Sequence, residues 1–150
     1  MKVLSPLFYL ILFPGCIFGQ SFSFPEFRRP IKSASELFSS KWALKDSAMG
    51  DLNGDHRPDM ALILEYADTA TESRSRDIEN TGRPRILMIL FWDSVDRSFE
   101  VAVQNNTFIL REGEGGMAGD PYGGIRIQHR VLEINYEFVR ESLSVSLRDV

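Results

Sequence analysis

Four oxygen-bearing side chains recur at short intervals between residues 51 and 59, with the spacing of calcium ligands. Asp51, Asn53, Asp55 and Asp59 stand at positions 1, 3, 5 and 9 of a loop, which calcium loops use for ligands. The backbone carbonyl of Arg57 can supply position 7. Three carboxylates this close in the chain repel one another unless a cation lies between them. The sequence therefore predicts one Ca²⁺ site formed by these five residues.

The donor set favours calcium over other metal ions. All the donors are hard oxygens, and no cysteine lies nearby to favour zinc. Magnesium suits the loop less well because it tends to keep its own waters. The loop is not an EF-hand, since His56 replaces the Gly at position 6 and Leu62 replaces the Glu at position 12. We expect a left-handed bend at His56. The alternative to a metal site is a plain Asx turn, in which these side chains bond only their own backbone.

The same residues resemble the FG-GAP or VCBS-type calcium motif, written D-x-N-x-D-x-x-x-D before a hydrophobic strand. Gly50 precedes the pattern and the apolar run 60–64 follows it, while His56 stands where usual members have Gly. The motif occurs in integrin alpha-subunit propellers and in many exported bacterial proteins. The resemblance implies calcium binding by the aspartate and asparagine side chains of the loop. It does not imply a propeller, because the motif occurs once in this chain and a propeller needs several blades.

A second segment is similar to the Gly-Gly-Met-x-Gly-Asp-Pro segment of small exported bacterial proteins that carry a single calcium motif. Here the segment reads Ile109-Leu110-Arg111, then Glu114-Gly115-Gly116-Met117-Ala118-Gly119-Asp120-Pro121-Tyr122. The whole resemblance spans about residues 35–137 and implies no established activity. After Tyr136 the chain departs from these relatives, so the resemblance does not describe how the sheet closes.

The start of the chain has the pattern of a signal peptide. Lys2 is the charged beginning, residues 3–13 form an apolar run too short to span a bilayer, and Gly19 offers a cleavage position before Gln20. A retained membrane anchor and a lipid on Cys16, which follows a loose lipobox, are the alternatives. We expect export to the periplasm or the medium, without a stable membrane span. Cleavage would remove the single cysteine, so the mature chain would hold no disulfide.

The length and charge of the chain favour one acidic domain. The 150 residues carry a formal net charge of −4, which disfavours nucleic-acid binding because that needs a basic face. We divide the chain into a signal peptide (1–19), a lead segment (20–32) and a calcium-binding β domain (33–150). The lead segment is either mobile or an extended strap over the core.

The apolar pattern predicts a mainly β fold: an antiparallel meander of about seven or eight strands, with one short N-terminal helix and the calcium loop in a hairpin. The helix is expected over residues 33–40, with Ser33 and Glu36 as a capping box. Residues 68–83 are polar and aperiodic, so we expect a long solvated loop there, and the Gly-rich stretch 112–124 is expected to be a second loop. Strands are expected at 42–49, 60–66, 85–92, 99–103, 107–111 and 143–147, with a hairpin at 125–136.

Two functions from different classes remain open. The first is an exported calcium-binding β module that has a structural role or binds a glycan or protein ligand, and it needs no catalysis. The second is a small hydrolase acting on glycan or envelope polymer, which needs two nearby carboxylates, one with a raised pKa. Its candidate carboxylates are Glu65, Glu112, Glu114 and Asp120. The remaining charged residues of note are expected to be solvated: His56, His129, Arg74, Arg76, Arg83 and Arg85.

Overall fold

A computed structural model describes residues 22–28, 30–75, 78–139 and 142–148, so the expected signal peptide and Cys16 lie outside the described residues. Within these ranges, nine strands form three sheets, all with antiparallel pairing. The predicted mainly β, antiparallel class is confirmed, with more strands than expected. The strands are β1 (Trp42–Gly50), β2 (Asp59–Tyr66), β3 (Ala70–Ser75), β4 (Ile78–Gly82), β5 (Arg85–Asp93), β6 (Ser98–Asn105), β7 (Tyr122–Gln128), β8 (Val131–Glu137) and β9 (Ser142–Leu147).

The largest sheet has the strand order β1-β2-β5-β6, with the two most apolar strands at its centre. In β2, Leu62 and Leu64 join one hydrophobic cluster, whereas Ala61 and Ile63 join a second cluster on the opposite face. Because both faces are covered, the central strands are apolar at successive positions instead of alternating. No helix of the described residues is long and apolar enough to cross a bilayer.

The described part of the lead segment, residues 22–28 and 30–32, is a strap over the first cluster. Phe22, Phe24 and Phe27 are half-buried against that cluster. The backbone N and O of Ile31 bond those of Phe99 in β6, both at 2.7 Å. Of the two forms expected for this segment, the structure therefore has the extended strap.

The helix expected over residues 33–40 is a single turn of 3-10 helix, Ala34–Leu37. The capping box is present: the Ser33 side chain accepts a bond from the first turn, and the Glu36 carboxylate accepts one from the Ser33 backbone N–H. The turn ends because Phe38 takes an extended conformation, with φ −88° and ψ 149°. Leu37 is the buried residue that attaches this turn to the core.

Residues 68–83 were expected to form a loop, and that prediction is wrong. They contain the hairpin of β3 and β4, two strands that pair with each other. Ala70 lies opposite Gly82 at the open end of this hairpin. A hydrogen bond of 3.0 Å joins the hydroxyls of Thr71 and Thr81 across the ribbon. The sequences of the two strands, Ala-Thr-Glu-Ser-Arg-Ser and Ile-Glu-Asn-Thr-Gly, are mostly polar and lack the apolar alternation that marks a half-buried strand.

Residues 107–111 were expected to form a strand but have no strand pairing in the described part of the chain. The Asn105 side-chain oxygen accepts bonds from the backbone N–H groups of Thr107 and Phe108, at 3.0 and 2.9 Å. This Asx turn ends β6 and redirects the chain. The loop expected over residues 112–124 is shorter in the structure, because β7 already begins at Tyr122. The loop also contains the 3-10 helix Gly116–Ala118.

The third sheet, β7-β8-β9, covers the second hydrophobic cluster. The two-residue turn between β7 and β8 is formed by His129 and Arg130, with φ of 52° and 61°. Positive φ at both positions is the geometry of a tight hairpin whose twist matches that of its strands. Leu132 and Ile134 are fully buried against the first sheet. The order of layers is therefore strap, four-stranded sheet and three-stranded sheet.

Gly50 tests the contact between these two sheets. A Cβ at this position would overlap the side chain of Ile127 in β7. We therefore expect Gly50→Ala to lower the free energy of unfolding by about 1–3 kcal/mol, as overpacking does. Denaturant unfolding measures the change, and the Gly50→Ala/Ile127→Ala pair completes a double-mutant cycle. An equal cost of Gly50→Ala in both backgrounds would show that Ile127 is not its cause.

Candidate functional site

The predicted calcium loop connects two paired strands. β1 and β2 remain in register as far as Gly50 and Asp59, so residues 51–58 form the connection between them. The backbone is left-handed at Gly54 (φ 83°) and at His56 (φ 64°). The expected bend at His56 is therefore present, and its side chain is 94% exposed, as expected for a solvated turn residue.

Three of the loop side chains bond backbone N–H groups within the loop. Asp51 accepts a bond from Gly54 through Oδ1 at 2.6 Å and one from His56 through Oδ2 at 3.1 Å. Asn53 and Asp55 each accept a bond from the residue two positions later, at 2.9 and 2.8 Å. These are the bonds of Asx turns, and they hold the oxygen-bearing side chains close to the backbone of the loop.

Asp59 is fully buried and anchors the loop to the sheet. Its Oδ2 accepts bonds from the backbone N–H groups of Leu52 (2.8 Å) and Asn53 (3.2 Å). Its Oδ1 accepts a bond from the N–H of Trp92 in β5, at 3.0 Å. A carboxylate at this position therefore joins three segments of backbone. The spacing in the sequence indicated Asp59 as a ligand but did not indicate its link to Trp92.

The donor chemistry of the loop fits calcium. A carboxylate offers about four acceptor sites, so Asp51, Asp55 and Asp59 keep acceptor capacity beyond their backbone bonds. Among the described residues no Lys or Arg forms an ion pair with these three carboxylates, and the His56 imidazole Nδ1 lies 3.7 Å from Asp51 Oδ2. The guanidinium of Arg130 lies against the loop, where its Nη2 donates to the Asn53 carbonyl at 3.2 Å. Across the described ranges, however, no three His, Cys, Asp or Glu side chains are already grouped so as to hold a metal ion. Binding would therefore require the loop side chains to converge.

An open cleft of about 420 Å³ lies beside the loop. Asn53, Asp55 and Arg57 line one side of it, and the end of β5 with the following turn lines the other. Arg57 is exposed, and its backbone N–H bonds Asp55. The cleft places the predicted ligands where a second molecule can reach them.

A second polar cluster surrounds Arg85, whose side chain is fully buried rather than solvated as expected. Its guanidinium Nη2 lies 2.7 Å from Glu65 Oε1 and 2.6 Å from Asp120 Oδ2. Nη1 donates to Asp120 Oδ1 at 2.8 Å and to the carbonyl of Leu110. One signal for this cluster was present in the sequence: an arginine begins an otherwise apolar buried run, and a buried charge requires partners.

Lys45 and Tyr122 complete this cluster. Lys45 Nζ lies 3.1 Å from both Glu65 Oε1 and Asp120 Oδ2. The Tyr122 ring lies below both cationic groups, with 5.6 Å from each to the ring centroid. The Tyr122 hydroxyl donates to Asp46 Oδ2 at 2.9 Å, and burial together with this bond raises the pKa of Tyr122. Residues from β1, β2, β5 and the start of β7 thus meet here.

The electrostatics of this cluster suit an ion-pair network better than general acid catalysis. Burial alone would raise the pKa of Asp120, but hydrogen bonds from Arg85, the Tyr122 backbone and Lys45 outweigh it and lower the pKa to about 2. A hydrolase acid needs the opposite shift. Of the other carboxylates considered for hydrolysis, Glu114 accepts a bond from the backbone of Arg111 at 2.7 Å and Glu112 is exposed.

A buried ion pair also joins the β3–β4 ribbon to the rest of the domain. Arg111 is 1% exposed and Glu72, in β3, is 8% exposed, and their side chains are bonded to each other. Arg111 follows the irregular segment after β6, so this pair connects two regions whose structure the sequence did not predict.

Comparison with protein-family models, with curated proteins and with solved structures finds no match to this chain. The resemblance to the FG-GAP or VCBS-type motif therefore stays a prediction that rests on the residues of the loop and of the Gly-rich segment.

The lowered pKa of Asp120 predicts a pH dependence of stability. Because its pKa is lower in the folded than in the unfolded chain, its contribution is complete above about pH 4 and is lost as the pH falls towards 2. We expect Asp120→Asn to lower the free energy of unfolding at pH 7 by roughly 1 kcal/mol, allowing for solvent screening of a partly exposed side chain. Urea unfolding at several pH values measures this, with the exposed Asp68→Asn as the control. An equal deficit at pH 7 and near pH 2 would contradict the explanation.

Proposed function

We propose that this protein is an exported calcium-binding β module, in which one Ca²⁺ ion is held by the 50–59 loop and stabilises the β1–β2 hairpin. The observation that carries the proposal is the position of the donors on a single tight connection, with the buried Asp59 at its base. The proposed ligands are Asp51, Asn53, Asp55, Asp59 and the Arg57 carbonyl, with water completing the coordination.

The ion has a structural role in this proposal. It would offset the mutual repulsion of three carboxylates, none of which forms an ion pair with a Lys or Arg of the described residues, since the nearby Arg130 bonds the Asn53 carbonyl instead. Asp59 already bonds the N–H of Trp92, so a constraint on the loop also acts on β5. A site filled to 100 times its dissociation constant adds about 2.7 kcal/mol of stability, a sizeable part of the roughly 5–15 kcal/mol typical of a domain.

A ligand-binding role is the second part of the proposal. The open cleft beside the loop carries Asp55 and Arg57 on one side and Asp93 and Glu100 on the other. A glycan or protein segment entering the cleft would contact the same loop that holds the ion. The support for export is the signal-peptide pattern at the start of the chain. The high calcium concentration outside the cytoplasm would then fill the proposed site.

Asp55→Ala is the sharpest test of the calcium site. Asp55 is exposed, and its only described side-chain bond is to the adjacent loop backbone, whereas replacing the buried Asp59 would damage the fold with or without calcium. We expect the melting temperature of the unmodified protein to rise on adding millimolar Ca²⁺. In Asp55→Ala that rise is largely lost, while the melting temperature in chelator changes little. Thermal melts and titration calorimetry measure both effects.

Two further variants complete the design. Asp68→Ala removes an exposed aspartate that follows β2, so it should keep the full calcium response. His56→Gly relieves a positive φ that Gly accepts more readily, so calcium affinity should be unchanged or increased. A melting temperature indifferent to calcium, with no heat of binding at millimolar ion, would leave the plain Asx turn as the role of the loop.

A further inference from the structure

The outer edges of the two larger sheets are protected in different ways, with one exception. The edge of β1 meets β7, where Asp46 accepts a bond from the Ile125 N–H at 3.2 Å. The edge of β6 is covered by the strap, because the Gln104 side chain bonds the backbone of Phe27 at 2.9 Å. In the described part of the chain, β9 pairs only with β8 and lies at the edge of its sheet. Exposed edges of this kind pair with other strands unless something blocks them.

The sequence of β9 has none of the features that usually block an edge strand. It reads Ser-Leu-Ser-Val-Ser-Leu, with no charge and no proline, and its pairing with β8 contains no bulge. Leu143, Val145 and Leu147 lie opposite Tyr136, Ile134 and Leu132 of β8, so they continue the core-facing side of the sheet. Leu143 is nevertheless 52% exposed. The apolar face of the sheet therefore extends beyond the part that the fold covers.

β9 is complementary to a second copy of itself. In an antiparallel pairing centred on Val145, Leu143 lies opposite Leu147 of the partner subunit, and Ser144 lies opposite Ser146 of the partner subunit. Residues directly opposite each other in antiparallel strands share a face. The apolar sides of both strands would then form one continuous surface, and the serine sides would face solvent.

The charges at the ends of the strand favour this register. Glu137 lies opposite Ser142 in the β8–β9 pairing, and the proposed register places Arg148 of the partner subunit on the other side of Ser142. Glu137 and Arg148 are both exposed, and only the small side chain of Ser142 separates them across the sheet. The two-fold symmetry forms this Glu137–Arg148 pair twice.

We propose that two copies of this chain associate through β9 to form a continuous six-stranded antiparallel sheet. The contact is small, since six residues a side are fewer than the roughly 20–30 of a standard interface. A weak dimer follows, which forms at high local concentration of the protein. The association does not depend on the calcium loop, so it stands or falls separately from the proposed function.

Sedimentation velocity over a concentration series tests the dimer, with calcium and with chelator. We expect the average mass to rise with concentration equally in both. Ser144→Lys/Ser146→Lys sets like charges opposite each other in the dimer, and we expect it to raise the dissociation constant at least tenfold. Ser144→Glu/Ser146→Lys sets opposite charges together and should dimerise at least as well as the unmodified protein, because Ser144 lies opposite the uncharged Asn135 of β8. Ser146 lies opposite Glu133 of β8, so the change of Ser146 to Lys adds no repulsion within one copy.

A charge reversal tests the register. Glu137→Arg alone should weaken the dimer, and Glu137→Arg/Arg148→Glu should restore it. A protein that stays monomeric up to about 0.3 mM overturns the proposal, because even a weak dimer should be populated at that concentration. So does a dimer that responds equally to both double-serine variants, because that dimer would use another surface.

Discussion

The buried guanidinium of Arg85 is the interaction on which the arrangement of the domain depends. A charge inside a sheet carries a large desolvation cost, which is offset only if carboxylates and carbonyls reach it. Glu65 lies directly opposite Arg85 in the β2–β5 pairing. A slip of one residue would turn Glu65 to the other face of β2 and leave the charge uncompensated. The central register of the sheet and the burial of Arg85 therefore require each other.

The same charge also fixes what surrounds the sheet. Asp120 must approach Arg85, so the Gly-rich loop folds back and β7 starts beside β1, where Tyr122 bonds Asp46. Glu65 lies near one end of the β1–β2 hairpin, and the 50–59 loop forms the other end. The hairpin is thus held by an ion-pair network at one end and by the backbone bonds of Asp59 at the other, where the proposed calcium ion would add to them. In this arrangement, loss of calcium would loosen one end while the network keeps the other in place.

The sequence predicted the elements whose burial determines their pattern. The runs around β2 and β5 are apolar because both of their faces are covered, and the β7–β8 hairpin alternates because one face is buried. The sequence pattern did not predict the segments whose structure depends on local polar contacts. The β3–β4 ribbon is held by Thr71 and Thr81 and by the Glu72–Arg111 pair, which no periodicity reveals. The Asx turn at Asn105 replaced an expected strand because one side chain satisfied two backbone donors.

The candidate sites differ in the same way. The proposed calcium loop could be predicted from sequence because its donors lie within nine residues of one another, so that spacing along the chain approximates spacing in space. The Arg85 network joins residues 20 and 35 positions apart, and only the fold brings them together. An arginine at the start of an apolar run indicates that some carboxylate must be near it, but Glu112, Glu114 and Asp120 satisfy that requirement equally in sequence. What selects Asp120 is its place just before Pro121 and β7, because the pairing of β7 with β8 brings this end of the loop against the sheet.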